Sequence, residues 1–181
     1  MLSVAIGAAL AASRVLFAPS TVSPLVTCPQ TARGWQGRIT GPELPAESPG
    51  EETTVIRLVN EFRLAHHLGT VVASRRLSLA ARAHDADMDL HDYFDHERAG
   101  LSFNARLARY TPSTCLAENI AWGTGSYGTP RGTVESWKQS PEHRRIMLLP
   151  WVRLVGVGIH RPEQGFQDTL GAVLTTADFS G

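Results

Sequence analysis

The order of elements along the chain predicts an α+β fold with a mainly antiparallel sheet. Three observations carry this. Apolar residues recur at helical spacing through the first half of the folded region. Two runs of strand character, rich in Val, fall late in the chain. A turn around Pro162 and Gly165 joins those two runs as a hairpin, and helices first with strands last favour α+β over alternating βαβ units.

The folded domain is expected over 51–181. Val55, Leu58, Val59, Phe62 and Leu64–Ala65 mark a first helix that Gly69 can end. Leu77, Ala81, His84 and Met88 share one face of a second helix over about 77–91. A short third helix is expected over 102–109 and a strand over 116–122. Thr129-Pro130 opens a fourth helix, with Thr as N-cap and Pro at the first helical position, where a missing N–H costs nothing. That helix carries Val134 and Trp137 inward and stops near Ser140-Pro141, where a new turn begins. The late strands are expected over 152–160, with Gly156 and Gly158 interleaved, and over 172–179.

Ahead of the domain, residues 1–17 read as the apolar region of a secretory signal, too short for a comfortable membrane span. No Lys or Arg precedes this run. Residues 18–50 hold six of the eleven prolines and read as a linker, with Trp35 its large apolar group. Thr27 before Cys28 is a poor lipidation context. In an exported chain the two cysteines, Cys28 and Cys115, are expected to pair.

Composition narrows the function classes. The chain has 181 residues, 43% of them hydrophobic and 19% charged, a globular balance. Seventeen basic residues match seventeen acidic ones, so nothing attracts nucleic acid in general. Two cysteines cannot build a four-thiolate zinc site, and seven histidines make imidazole the better metal ligand. The sequence carries no HExxH, no Gly-rich phosphate loop, no GxSxG elbow and no CxxC. Any site must therefore assemble from distant segments. Four segments place polar residues within patterned apolar ones: 93–96, ending in Asp95-His96; 117–122, with Glu118 and Asn119; 140–144, with Ser140, Glu142 and His143; and Asp178-Phe179.

Those segments, with Leu58-Val59-Asn60 and Arg63, the stretch 80–88, Val134 with Trp137, and Val155-Gly156-Val157-Gly158, occur in an order that resembles a bacterial CAP domain. This is the superfamily of cysteine-rich secretory proteins, insect antigen 5 and plant pathogenesis-related proteins. The resemblance implies an α-β-α sandwich with a cleft where His96 and His143 form a histidine pair and Glu118 is the acid. Two neutral imidazoles can hold Zn²⁺, and a nearby carboxylate can orient a ligand imidazole or take a proton from water. The second acid of animal members is missing: its place, three residues after Trp137, is Ser140. Glu135 is expected on another face, while Glu142 could reach the cleft or face water.

Plainer roles stand beside these. Glu118 within an apolar strand needs a partner, for example Arg144 or a backbone N–H. His96 could simply favour a helix C-terminus. His84 reads as a satisfied core residue, and His91 and His160 as surface. Trp122, Trp137 and Trp151 read as core or cleft wall. The leading expectation is a secreted or envelope-associated monomer that binds a lipid or peptide ligand. A zinc-assisted hydrolase using His96, His143 and Glu118 as base is the alternative, and a structural role with a relic cleft the third.

Overall fold

A computed structural model describes residues 26–28 and 50–181. The signal-like segment 1–17 and nearly all of the linker, Trp35 included, lie outside the described residues. Strand β1 is Val26–Thr27, and helix α1 spans Gly50–Ala65. Then follow β2 (Val72–Ala73), α2 (Arg75–His91), α3 (Phe103–Leu107) and β3 (Leu116–Gly123). After a short 3₁₀ turn come α4 (Pro130–Gln139), α5 (Pro141–Met147), β4 (Leu154–His160) and β5 (Val173–Ser180).

Helix boundaries follow the local chemistry. Ser74 caps α2 by accepting from Leu77 N, and Ser102 caps α3 through Ala105 N. Thr129 caps α4 through Gly132 N at 3.1 Å, with Pro130 at the first position, as its sequence predicts. Ser140 ends α4 and also begins α5, so the turn expected at Ser140-Pro141 is the junction of two helices.

The sheet has the order β1-β3-β5-β4-β2. The three long strands pair antiparallel, and only the two-residue β2 runs parallel to its neighbour β4. Helices α1, α4 and α5 cover one face. There Val55, Leu58, Val59, Val134, Trp137, Ile146 and Met147 meet Ala117, Val155, Val157, Ala177 and Phe179 in the larger core. Helices α2 and α3 cover the other face, and the α-β-α sandwich is complete. Gly156 and Gly158 explain how closely α2 lies. A Cβ on Gly156 would stand 2.1 Å from the Leu77 carbonyl carbon, and one on Gly158 2.5 Å from Arg82 N. The helix backbone rests on strand positions that have no side chain.

One inward position departs from the apolar reading of α1. Leu64 and Ala65 are exposed, and Arg63 is buried instead. Its guanidinium donates to the carbonyls of Gly69 (2.8 Å), Met147 (2.7 Å) and Leu149 (3.0 Å). Those carbonyls lie just beyond or at the ends of α1 and α5, so a buried cation is satisfied by otherwise orphaned acceptors.

Cys28 and Cys115 form a disulfide across 87 positions of sequence. It fastens β1 to the start of β3, where Val26 pairs with Ala117 and Thr27 with Leu116. No helix among the described residues is long and apolar enough to cross a membrane.

Candidate functional site

Strand alternation sets the site. Leu116, Glu118, Ile120 and Trp122 face α2 and α3, while Ala117, Asn119 and Ala121 face α5 and α4. β1 covers only Leu116 and Ala117, so side chains occupy the outer edge of β3 beyond them. The Ile120 carbonyl on that edge accepts from Trp137 Nε1 at 3.4 Å and acts on the His143 imidazole to raise its pKa, against the larger lowering by burial.

Glu118 is wholly buried. Its Oε1 lies 2.6 Å from His96 Nδ1, and its Oε2 lies 2.5 Å from an Arg106 guanidinium nitrogen. Burial alone would raise its pKa, but Arg106 reverses this, helped by His84 and His96, and holds the carboxyl well below the usual carboxylate range. An ionised carboxylate only accepts, so His96 Nδ1 carries the hydrogen. His96 Nε2 is then the ring atom left for other partners.

His143 stands on α5, largely buried. Its Nδ1 shares a 2.9 Å hydrogen bond with Ser140 Oγ, one helical turn back, and its backbone carbonyl accepts from Asn119 Nδ2 at 3.1 Å. Its pKa is lowered, first by burial and then by the nearby His96. Two bonded pairs result, His96 with Glu118 and Ser140 with His143, and the charge of His96 acts on His143. The other acids stay apart. Glu135 is exposed and faces Lys138 at 3.4 Å; Glu142 is exposed and acts on His143 only through its charge.

Three readings from sequence need correction. The partner of Glu118 is Arg106, not Arg144, because α3 turns Phe103, Arg106 and Leu107 inward together. The i, i+3, i+4 spacing of these three residues was the signal available. His84 is in the core as expected but is not satisfied: neither ring nitrogen has a hydrogen-bond partner among the described residues. Its Nε2 stands 3.9 Å from Glu118 Oε1, and burial lowers its pKa to about 4. His160 is half-buried rather than free at the surface, its Nε2 2.6 Å from Asp89 Oδ2. Asp178 is the acid closest in register to Glu118, its cross-strand partner on β5.

The donor set can be compared with zinc. A catalytic zinc takes three protein ligands and a water. Here the acceptor capacity of Glu118 is directed at Arg106 and His96, and Ser140 at His143. No group of three His, Cys, Asp or Glu among the described residues is arranged to hold an ion. Two imidazoles alone do not fit a zinc hydrolase centre.

An aromatic cluster packs with Met88 and Ile120 on the face of the sheet that α2 covers. Trp122 and Phe94, both half-buried, meet Phe166 edge-on at 5.6 Å and 6.5 Å between ring centres.

Sandwich and buried histidine–glutamate group together define a class. Residues 56–178 match the cysteine-rich secretory protein family (CAP), and the chain belongs to it. It is 32% identical over 116 residues to the uncharacterised protein YkwD of Bacillus subtilis, an overlap of 63% of this chain and 44% of that protein. It is similar in fold to an extracellular protein containing an SCP domain from Bacillus anthracis. There the TM-score is 0.60 and the identity 23%, over 72% of this chain and 40% of that one. An outer surface protein of Borrelia burgdorferi gives a TM-score of 0.60 at 17% identity, over 72% of this chain and 91% of that one. The chain thus spans less than half the length of the two Bacillus proteins.

Proposed function

We propose that this chain is an exported CAP domain that binds a lipid or peptide ligand beside His96 and His143, without turning it over. One observation carries the choice of binding over catalysis: both oxygens of Glu118 are engaged, by Arg106 and by His96. A carboxylate so held, and fully buried, is a poor proton acceptor for water; its work is to fix the His96 ring. Trp122, on the strand that carries Glu118, and Phe94, two residues before His96, supply half-buried apolar surface, the mixture of few polar groups and aromatic wall that ligand sites use. Export is supported by the Cys28–Cys115 disulfide, which persists in oxidising compartments, and by the extracellular and outer-surface descriptions of the B. anthracis and B. burgdorferi proteins. The same proposal has the chain act as a secreted or envelope-associated monomer.

The test is native mass spectrometry of protein recovered from the medium of an exporting host. Retained lipid or peptide is expected on the native chain and its loss on the His96→Ala/His143→Ala variant. A ligand-free native chain, or equal retention by both, overturns the reading. Calorimetry with Zn²⁺ on the same two proteins checks the hydrolase alternative, which needs tight binding by the native chain alone.

A further inference from the structure

Between α2, α3 and strands β3 and β5 lies a group of buried polar side chains of which the ligand-binding reading uses only Arg106. His84, Asp85 and Asp178 are at most 1% exposed, and Arg106 is 7% exposed. Seven of their side-chain atoms have no hydrogen-bond partner among the described residues: both ring nitrogens of His84, Oδ2 of Asp85, Nε and Nη1 of Arg106, and both carboxyl oxygens of Asp178. An unpaired buried polar group costs a sizeable share of a domain's small net stability, so seven left bare would exceed what a domain of this size can bear.

The spacing shows how they are answered. His84 Nε2 and Glu118 Oε1 are 3.9 Å apart, and Arg106 Nη1 and Asp178 Oδ2 are 3.7 Å apart. Both gaps are too long for a direct hydrogen bond, yet one oxygen placed to the side can reach both atoms of either pair at about 2.8 Å. The chemistry of the set selects the occupant. A cation would face the Arg106 guanidinium, and an anion would face Glu118. A neutral imidazole needs one donor and one acceptor, a guanidinium needs an acceptor, and the carboxyls of Asp85 and Asp178, both raised by burial, each offer a donor as well as acceptors. Water is the small neutral molecule that answers all of these.

We propose that His84, Asp85, Arg106 and Asp178 enclose an internal water site, with water bridging His84 to Glu118 and Arg106 to Asp178. Each internal water makes about three hydrogen bonds, so seven open atoms call for about two molecules. The water joins the core imidazole to the Arg106–Glu118–His96 chain and completes its hydrogen bonding. Glu118 is thereby held in a single orientation, and His96 with it.

The experiment is oxygen-17 magnetic relaxation dispersion on the full chain, which counts long-lived internal waters in solution. About two are expected in the native protein, and fewer in the His84→Leu variant, which removes two of the open atoms. A native profile with no long-lived water overturns the proposal, as does an unchanged count in a folded His84→Leu variant. Should that variant fail to fold, an atomic-resolution crystal structure of the native chain decides. Solvent density within hydrogen-bond reach of His84 Nε2 and Asp178 supports the site. A direct His84–Glu118 hydrogen bond, or density with an anomalous metal signal, refutes it. None of these outcomes depends on a ligand at His96, so the proposal and the ligand-binding reading fail separately.

Discussion

Glu118 and Asp178 face each other across β3 and β5, both without solvent exposure, and the Arg106 guanidinium serves both: 2.5 Å from the first and 3.7 Å from the second. Two buried carboxyls beside a single guanidinium cannot both be ionised cheaply. Glu118, with the shorter contact and His96 on its other oxygen, stays ionised. Asp178 is raised well above the usual range, first by burial and then by repulsion from Glu118. Much of the site's behaviour follows from this asymmetry.

The first consequence concerns stability. Glu118→Gln takes from the buried Arg106 its short carboxylate contact and leaves only the longer one to Asp178, and Arg106→Met leaves the buried Glu118 with only its histidine neighbours. Each change is expected to destabilise the fold by about 3–5 kcal/mol. The double variant should lose less than the sum, because neither charge remains. Urea denaturation of the four proteins measures the coupling, and strict additivity would show that the pair is energetically idle.

The second concerns pH. His84 falls from its usual 6.5 to about 4 through burial. Between those values the unfolded chain binds a proton that the folded chain refuses, so stability drops as pH falls through the window. Glu118, also lowered, has the same sign: its contribution is present above its unfolded value near 4.5 and lost in stronger acid. Asp85 has the opposite sign. Burial pushes it up to about 8 from 3.8, so the stability present below 3.8 is lost as pH rises toward 8. Asp85→Asn keeps the acceptor for Thr176 Oγ1 but cannot ionise. It should flatten the fall in stability toward pH 8 and leave the acid side unchanged. Urea midpoints across the pH range check this, and parallel curves for both proteins would contradict it.

Close approach of α2 to the sheet gives a third. Gly156→Ala puts a methyl 2.1 Å from backbone atoms of Leu77 and Ser78, which cannot move independently. A loss of about 3 kcal/mol is expected, the upper part of the overpacking range. Gly69→Ala, with nothing within 4 Å of the added carbon, is the control and should change little. Comparable melting temperatures for the two variants would mean that α2 does not rest on the strand.

The fourth is the covalent link. Cys28–Cys115 closes a loop across 87 positions, for which chain entropy gives about 4.6 kcal/mol of stabilisation. Cys28→Ser/Cys115→Ser should melt lower by a corresponding amount. A melt that matches the native one would leave β1 a dispensable strand.

Periodicity, capping chemistry and turn residues determined the fold in the sequence itself. The faces of α2 and α4 and the Thr129-Pro130 start stand where local pattern puts them, since each rests on spacing within a few residues, and the late strands pair as expected across the longer connection 161–172. The short strands β1 and β2 were not legible: two residues carry no period, and tertiary pairing alone makes them strands. His96, Glu118, Ser140 and His143 could be named from motif order, but which of them bond could not. Only the folded chain decided that Arg106, on α3, neutralises Glu118, that Asp178 lies opposite it, and that His84 is buried unpaired beside both. These are relations between elements distant in sequence, fixed by sheet register and by the glycines that admit α2, and no local pattern encodes a register.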